Sequence, residues 1–366
     1  MKQKIAFIGY YKTFCYQDIG GANSIVRRLS NSMSDSREIF HLTYGAESKE
    51  YSSSINDIKQ HHFVSFRSML TFAYNNNILD LMIIYLKPID YLTVLSFRIF
   101  NRSMTFHSLI SSLSSSLLKR ILYKMQVRRV VNGKIFCVSK QLVSFFKSCG
   151  GRVIHLIPPV DDAFFIDSNL RDSKKSKKVR IAFMGRIDLG KGTDIAINYF
   201  EKSTLSHEKF EFYVYGYPHE SDASSMALHN KLLDEDCKIN YVQSPVWDGY
   251  SPKVDQFLAN LIDEVDLFYL PYRTISSTID TPLVPLEILA RGGLFLATDF
   301  PQIKDIISDH RFILPLNEIS LISVIDDRIL QLTNNHGRVS QGQFLGNLDF
   351  KTSSVASLLE RSIYEQ

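Results

Sequence analysis

Between Asp90 and Asp161 this chain has neither Asp nor Glu. The same stretch carries eleven bases: Arg98, Arg102, Lys119, Arg120, Lys124, Arg128, Arg129, Lys134, Lys140, Lys147 and Arg152. The net charge is only +4, so the asymmetry is local, and a one-signed block implies an anionic partner. Cysteine is scarce: Cys15, Cys137, Cys149 and Cys237 show no repeated CxxC or Cys/His spacing. That excludes a disulfide scaffold, argues against a zinc site and suits a reducing cytosol. No window reaches the roughly 18–20 consecutive apolar residues of a membrane span. The opening MKQKIAFIGYY is too short an apolar run for a signal peptide and reads as a strand. With 45% hydrophobic residues, the chain is not a disordered or fibrous protein, and 366 residues at roughly 100–200 per domain favour two domains.

Hydrophobic patterning gives an alternation of strands and helices. Apolar runs at 4–10, 39–44, 80–86, 104–107, 134–139 and 153–158 are separated by helical patterns at 23–33, 117–131 and 140–148. SNLRDSKKSKK (168–178) is polar, basic and without apolar periodicity, which suits a linker. The alternation then restarts with strands at 179–185, 210–216, 238–243, 266–271 and 294–298, and helices at 193–204, 252–263, 285–291, 301–308 and 352–364. Strands joined through helices imply parallel sheets, with ligands bound beyond the carboxyl ends of the strands. The expected organisation is a domain over 1–165, a linker over 166–178, a domain over 179–350 and a C-terminal helix over 351–366.

The loop Gly185-Arg186-Ile187-Asp188-Leu189-Gly190-Lys191-Gly192-Thr193 joins a strand to a helix. It nearly spells a P-loop, but Gly192 stands where the Mg²⁺-binding hydroxyl belongs. Two cations beside a helix N-terminus suit a diphosphate. In Thr278–Gly293, Pro285 is expected at the first helical position and Gly292 just past the helix end. That register places Glu287 in the first turn, leaving the N–H groups of Leu283 and Val284 able to face an anion. Asp234-Glu235-Asp236 matches the letters of a metal-binding Asp-x-Asp, but it precedes a strand and reads as a solvated loop.

Taken in order, these stretches resemble the retaining GT-B glycosyltransferases of the large family 4 group. The matches are Ile5–Gly9 with Gly20-Gly21, Asp80–Leu86 with Thr105–Ser108, Phe136–Lys140, Ile157–Asp161, Met184–Gly192, Val214–Gly216, and Asp266–Pro271 with Leu286–Gly292. The resemblance implies two Rossmann-like doubly wound α/β domains facing across a cleft, with the C-terminal helix crossing back to the first. It implies that Arg186 and Lys191 neutralise the donor's diphosphate, that Glu287 binds the ribose hydroxyls, and that Gly21 permits close backbone approach. His107, at the end of its strand, would lie by the donor sugar, and Gly216 and Tyr217 would line the nucleotide pocket. The family's second glutamate falls on Ile279, so Asp280 either replaces it with a shorter side chain or the contact is absent.

The expected activity is a metal-independent sugar transfer from a nucleotide-diphosphate donor to a saccharide hydroxyl, without a bound cofactor. Lipopolysaccharide, O-antigen, capsule or other surface-polysaccharide assembly is the expected setting. A lipid-linked acceptor and a peripheral site on the inner face of the plasma membrane, reached through 117–134, follow from the basic helix. The same helix can instead pack its apolar stripe on the sheet and leave its bases solvated. Three other functions compete: a P-loop nucleotide hydrolase using Gly185–Lys191, an inactive glycosyltransferase-like binding protein, and a nucleic-acid binder resting on 91–160. The last lacks any recognisable recognition module, so no nucleic-acid partner is expected.

Overall fold

The computed structural model describes residues 2–10, 21–45, 51–55, 57–114, 116–150, 152–165, 178–219, 221–244, 253–274, 279–307, 309–334 and 349–364. The chain divides into two compact units, one reaching to Pro159 and including Asp349–Gln366, the other spanning Val160–Val246 and Pro252–Leu348. The linker expected over 166–178 lies, apart from Lys178, outside the described residues. Residues 160–165 belong to the second unit for a visible reason: Arg291 donates to the Ala163 carbonyl at 2.8 Å.

The first unit runs β1 (Lys4–Tyr10), α1 (Gly21–Met33), β2 (Glu38–Tyr44), β3 (Tyr51–Ile55), β4 (Ile58–Phe63), α2 (Phe66–Asn75) and β5 (Asp80–Tyr85). It continues with α3 (Asp90–Phe100), β6 (Thr105–Ile110), α4 (Leu117–Val130), β7 (Ile135–Cys137), α5 (Lys140–Phe146) and β8 (Val153–His155). The described strands form one sheet in the order β3-β4-β2-β1-β5-β6-β7-β8, parallel throughout except where β3 pairs antiparallel to β4 at the edge. Ile5, Ala6, Phe7 and Ile8 are wholly buried, as expected for a central strand covered on both faces. Because β1 is flanked by β2 and β5, the topology reverses beside it, and Gly21 opens the helix that follows.

The second unit runs β9 (Val179–Ile187), α6 (Thr193–Lys202), β10 (Phe210–Pro218), α7 (Ala223–Leu232), β11 (Asn240–Gln243), α8 (Lys253–Glu264) and β12 (Leu267–Leu270). It continues with α9 (Leu283–Ala290), β13 (Phe295–Thr298), α10 (Pro301–Ile306), β14 (Ile313–Leu314) and α11 (Ile322–Asn334). The order β11-β10-β9-β12-β13-β14 is parallel throughout, and β9, flanked by β10 and β12, again marks the switch point. The last helix, α12 (Thr352–Tyr364), packs on α1 of the first unit and buries Val355, Ala356 and Leu359.

Three expectations need correction. Strand β9 does not stop at Gly185 but runs to Ile187, because Gly185, Arg186 and Ile187 stay paired with Gly216, Tyr217 and Pro218. Helix α9 begins at Leu283 with Pro282 as its N-cap, so Pro285 is its third residue and Glu287 its fifth, beyond the first turn. Proline is tolerated there because the carbonyl four residues back, on Thr281, lies outside the helix. Finally, of the two readings of α4, the inward-packed stripe does not hold: Leu117 and the apolar residues up to Met125 are not its buried side. The helix buries Val127 and Val130, while Leu118, Ile121, Leu122 and Met125 are exposed.

Candidate nucleotide site

Glycine decides the shape of the second unit's switch point at two positions. Gly192 has φ +75°, and a Cβ there would stand 1.8 Å from the Pro271 carbonyl oxygen. A Cβ on Gly216 would stand 2.2 Å from the carbonyl oxygen of Gly185 on the neighbouring strand. No side chain fits either place: Gly216 lets β10 close on β9, and Gly192 lets the loop after β9 lie tightly against the segment after β12. That contact is reinforced by the Arg273 N–H, which donates to the Gly190 carbonyl at 3.0 Å, and by an Arg273–Asp194 ion pair.

Within this frame Asp188 organises the cations. It is buried, its Oδ2 accepts from Arg186 Nε at 2.6 Å, and its Oδ1 accepts from the Lys191 backbone N–H at 2.8 Å. Its own N–H donates to Thr193 Oγ1 at 3.1 Å, and that hydroxyl also reaches the Arg186 carbonyl at 3.4 Å. The hydroxyl beside Gly192 is therefore taken up in holding the loop. Asp188 was not singled out from the sequence, although an acid set between two cations and followed by a helix-start threonine is a readable signal.

Lys191 carries its ammonium 5.2 Å from the centre of the buried Tyr272 ring. Its pKa is lowered to about 8, chiefly by burial; Asp188 and Glu287 oppose the fall, and Arg186 adds to it. Glu287, buried in α9, is thereby placed within electrostatic reach of Lys191. Tyr272 is pushed up by burial and, secondarily, by Glu287; among the described residues its Oη has no hydrogen-bond partner. Tyr272 is a second residue the sequence did not flag, since an aromatic after a strand-ending proline carries no spacing signal.

Arg186, Lys191 and Glu287 thus come together, joined by Asp188 and Tyr272. Gly216 and Tyr217 lie beside them on β10, in register with Gly185 and Arg186. Leu283 and Val284 are the first residues of α9, whose N-cap Pro282 supplies no side-chain cap, and Pro285 at the third position has no N–H. The N–H groups of Leu283 and Val284 therefore stand at a helix start that the N-cap side chain does not satisfy. Ile279 is buried and Asp280 partly so in the segment leading into it.

In the first unit, Gly21 is at the start of α1. His107 is the third residue of β6 and not its last, which corrects the expected position. Its side chain is 2% exposed; Nδ1 accepts from the Lys134 N–H at 3.0 Å, and Nε2 lies 3.5 Å from Oδ1 of Asp80, the first residue of β5. A Cβ on Gly133 would stand 2.6 Å from this ring. The imidazole is thus built into the amino-terminal half of the sheet and ties β5, β6 and the turn before β7 together.

No family model matches the chain, and no curated protein does. Solved structures do. Sucrose-phosphate synthase from Thermosynechococcus elongatus superposes with a TM-score of 0.71 at 11% identity, covering 98% of each chain. HepE from Anabaena, in complex with UDP and glucose, gives 0.71 at 12% identity over 100% of each chain. An α,α-trehalose 6-phosphate synthase from Burkholderia multivorans gives 0.67 at 10% identity over 99% of this chain and 98% of its own. The shared feature is the fold: two parallel-sheet, Rossmann-like units of the GT-B type.

Proposed function

We propose that the chain is a retaining, metal-independent glycosyltransferase that moves a sugar from a nucleotide-diphosphate donor to a hydroxyl of a saccharide acceptor. The observation that carries this reading is the meeting of Arg186, Lys191 and Glu287 at the β9 switch point, in the second unit that also holds the start of α9. The fold shared with HepE, whose structure holds UDP and glucose, supports it. Breaking the bond between the anomeric carbon and the phosphate oxygen leaves charge on the diphosphate. Arg186 and Lys191 stabilise that charge together with the N–H groups of Leu283 and Val284. Glu287 accepts hydrogen bonds from the ribose hydroxyls. The acceptor oxygen bonds the anomeric carbon on the face the phosphate leaves, and the acceptor's proton passes to a phosphate oxygen.

The reading places the enzyme in lipopolysaccharide, O-antigen, capsule or other surface-polysaccharide assembly, with an acceptor presented at an anionic surface. The basic, acid-free stretch 91–160 supports that setting. With Ile279 buried where the resemblance expects a carboxylate, a donor sugar with fewer hydroxyls, such as a deoxysugar, leaves less unsatisfied. Turnover with UDP-glucose and none with deoxysugar donors overturns that choice.

A thermal-shift panel of UDP, GDP, dTDP, CMP and ATP, in EDTA, tests the whole reading. One nucleoside diphosphate should stabilise the protein, by about 2.7 kcal/mol at a hundredfold excess over its Kd. Stabilisation by ATP alone, and only with Mg²⁺, favours the nucleotide-hydrolase alternative. NMR of the product should show a retained anomeric configuration; inversion overturns the same-face mechanism.

A further inference from the structure

We infer that the paired helices α3 and α4 form a docking face for an anionic lipid leaflet, with α4 lying in the headgroup plane. The inference rests on the transferase reading only for what the surface delivers, a membrane-presented acceptor; its geometry stands independently.

Helices on a domain surface ordinarily turn apolar residues inward. Here α4 buries Val127 and Val130, and Tyr123 meets Phe146 and Tyr91 edge-on. Leu118, Ile121, Leu122 and Met125, spaced three and four residues apart, form the opposite side of the helix and are exposed. α3 behaves the same way: Tyr91 and Val94 are buried, whereas Leu92, Ile99 and Phe100 are exposed, Phe100 by 85%. The two helices pack together, and Arg98 of α3 donates to the Arg129 and Val130 carbonyls at 3.1 and 2.9 Å. Two neighbouring helices thus each turn several large apolar side chains to solvent, a grouping soluble monomers rarely leave uncovered.

Charge identifies what covers it. Arg129 continues the exposed side of α4 one turn beyond Met125, Arg128 and Lys119 flank it, and all three are exposed. The one acid on either helix, Asp90, is buried and accepts a hydrogen bond from Tyr44. A second copy of the chain would bring the same bases against themselves across a two-fold axis. An anionic leaflet offers acyl chains to the apolar side and phosphates to the flanking guanidinium groups, and each base near such a surface strengthens binding roughly fivefold.

Vesicle co-sedimentation of the full chain tests this. Binding should appear with phosphatidylglycerol-containing vesicles, be absent with phosphatidylcholine alone, and weaken with salt. Arg128→Glu with Arg129→Glu should weaken it by at least about tenfold. Leu118→Ser with Leu122→Ser should weaken it about as much and leave the salt dependence in place. These side chains are exposed, so melting temperatures should stay level. No binding at low salt, binding indifferent to both double variants, or a dimer dissolved by the serine variant without vesicle binding each overturns the inference. Nucleoside-diphosphate stabilisation without vesicle binding removes the docking face alone. Vesicle binding without such stabilisation removes the transferase reading and leaves the face.

Discussion

Lys191 is held near its switching point by opposing neighbours, and this gives it a pH signature. Its pKa is lowered to about 8, chiefly by burial, so the folded protein binds this proton less readily than the unfolded chain. Stability of the ligand-free protein should therefore rise as pH increases from about 8 towards the ordinary lysine value near 10.5. Affinity for a nucleoside diphosphate should move the opposite way, falling by up to about tenfold per unit as the ammonium is lost. Calorimetric titration across that range checks both signs. Lys191→Ala should abolish the affinity trend, and it and Arg186→Ala should each cut turnover by about 10²–10³. Asp188→Asn keeps an acceptor for the Lys191 N–H but frees Arg186 from its ion pair, and it also removes a charge that raises the lysine's pKa. The upper pH limb of activity should then move down. His107 belongs to a different group: His107→Ala should lower the melting temperature, by removing a buried acceptor of the Lys134 N–H, without changing nucleotide affinity.

Among the elements, the β9–α6 and β12–α9 turns are coupled through one glycine. Gly192→Ala costs the left-handed conformation, about 1–2 kcal/mol, and drives a methyl group into the Pro271 carbonyl. The variant should melt lower and bind nucleotide weakly, because moving Pro271 also moves Tyr272 and the Arg273 contact with Gly190. Helix α9 shows how a local preference is overruled. Proline favours the first helical position, yet the helix starts two residues earlier, which removes Glu287 from the first turn. A charge near Glu287 is that of Lys191, delivered by the loop after β9 rather than by the start of its own helix. Helix α4 is the second case. Its apolar residues were legible as a stripe, but a stripe alone does not say which side of the helix meets the protein.

For the whole molecule, the C-terminal helix closes the first unit. Besides its buried apolar side on α1, Glu360 pairs with Arg37 at 3.2 Å, and the Arg37 guanidinium lies 4.3 Å from the centre of the Tyr364 ring. Ending the chain at residue 348 should expose α1, lower the melting temperature of the first unit and promote aggregation, as light scattering on heating would record. The two-unit α/β organisation, the parallel sheets and the loop at Gly185–Gly192 were readable from the sequence, because hydrophobic period, glycine spacing and charge are properties of neighbouring residues. The edge strand β3, the burial of His107, and the convergence of Asp188, Tyr272 and Glu287 on Lys191 were not. Each depends on which strands lie side by side, and residues up to a hundred positions apart meet only once β9 is set between β10 and β12. The sequence by itself determined the alternation that builds two sheets and the acid-free, basic stretch 91–160 within the first unit. Only the tertiary structure decided which side of α4 faces water and which lysine stands beside which carboxylate, because packing chooses among faces that local pattern leaves equivalent.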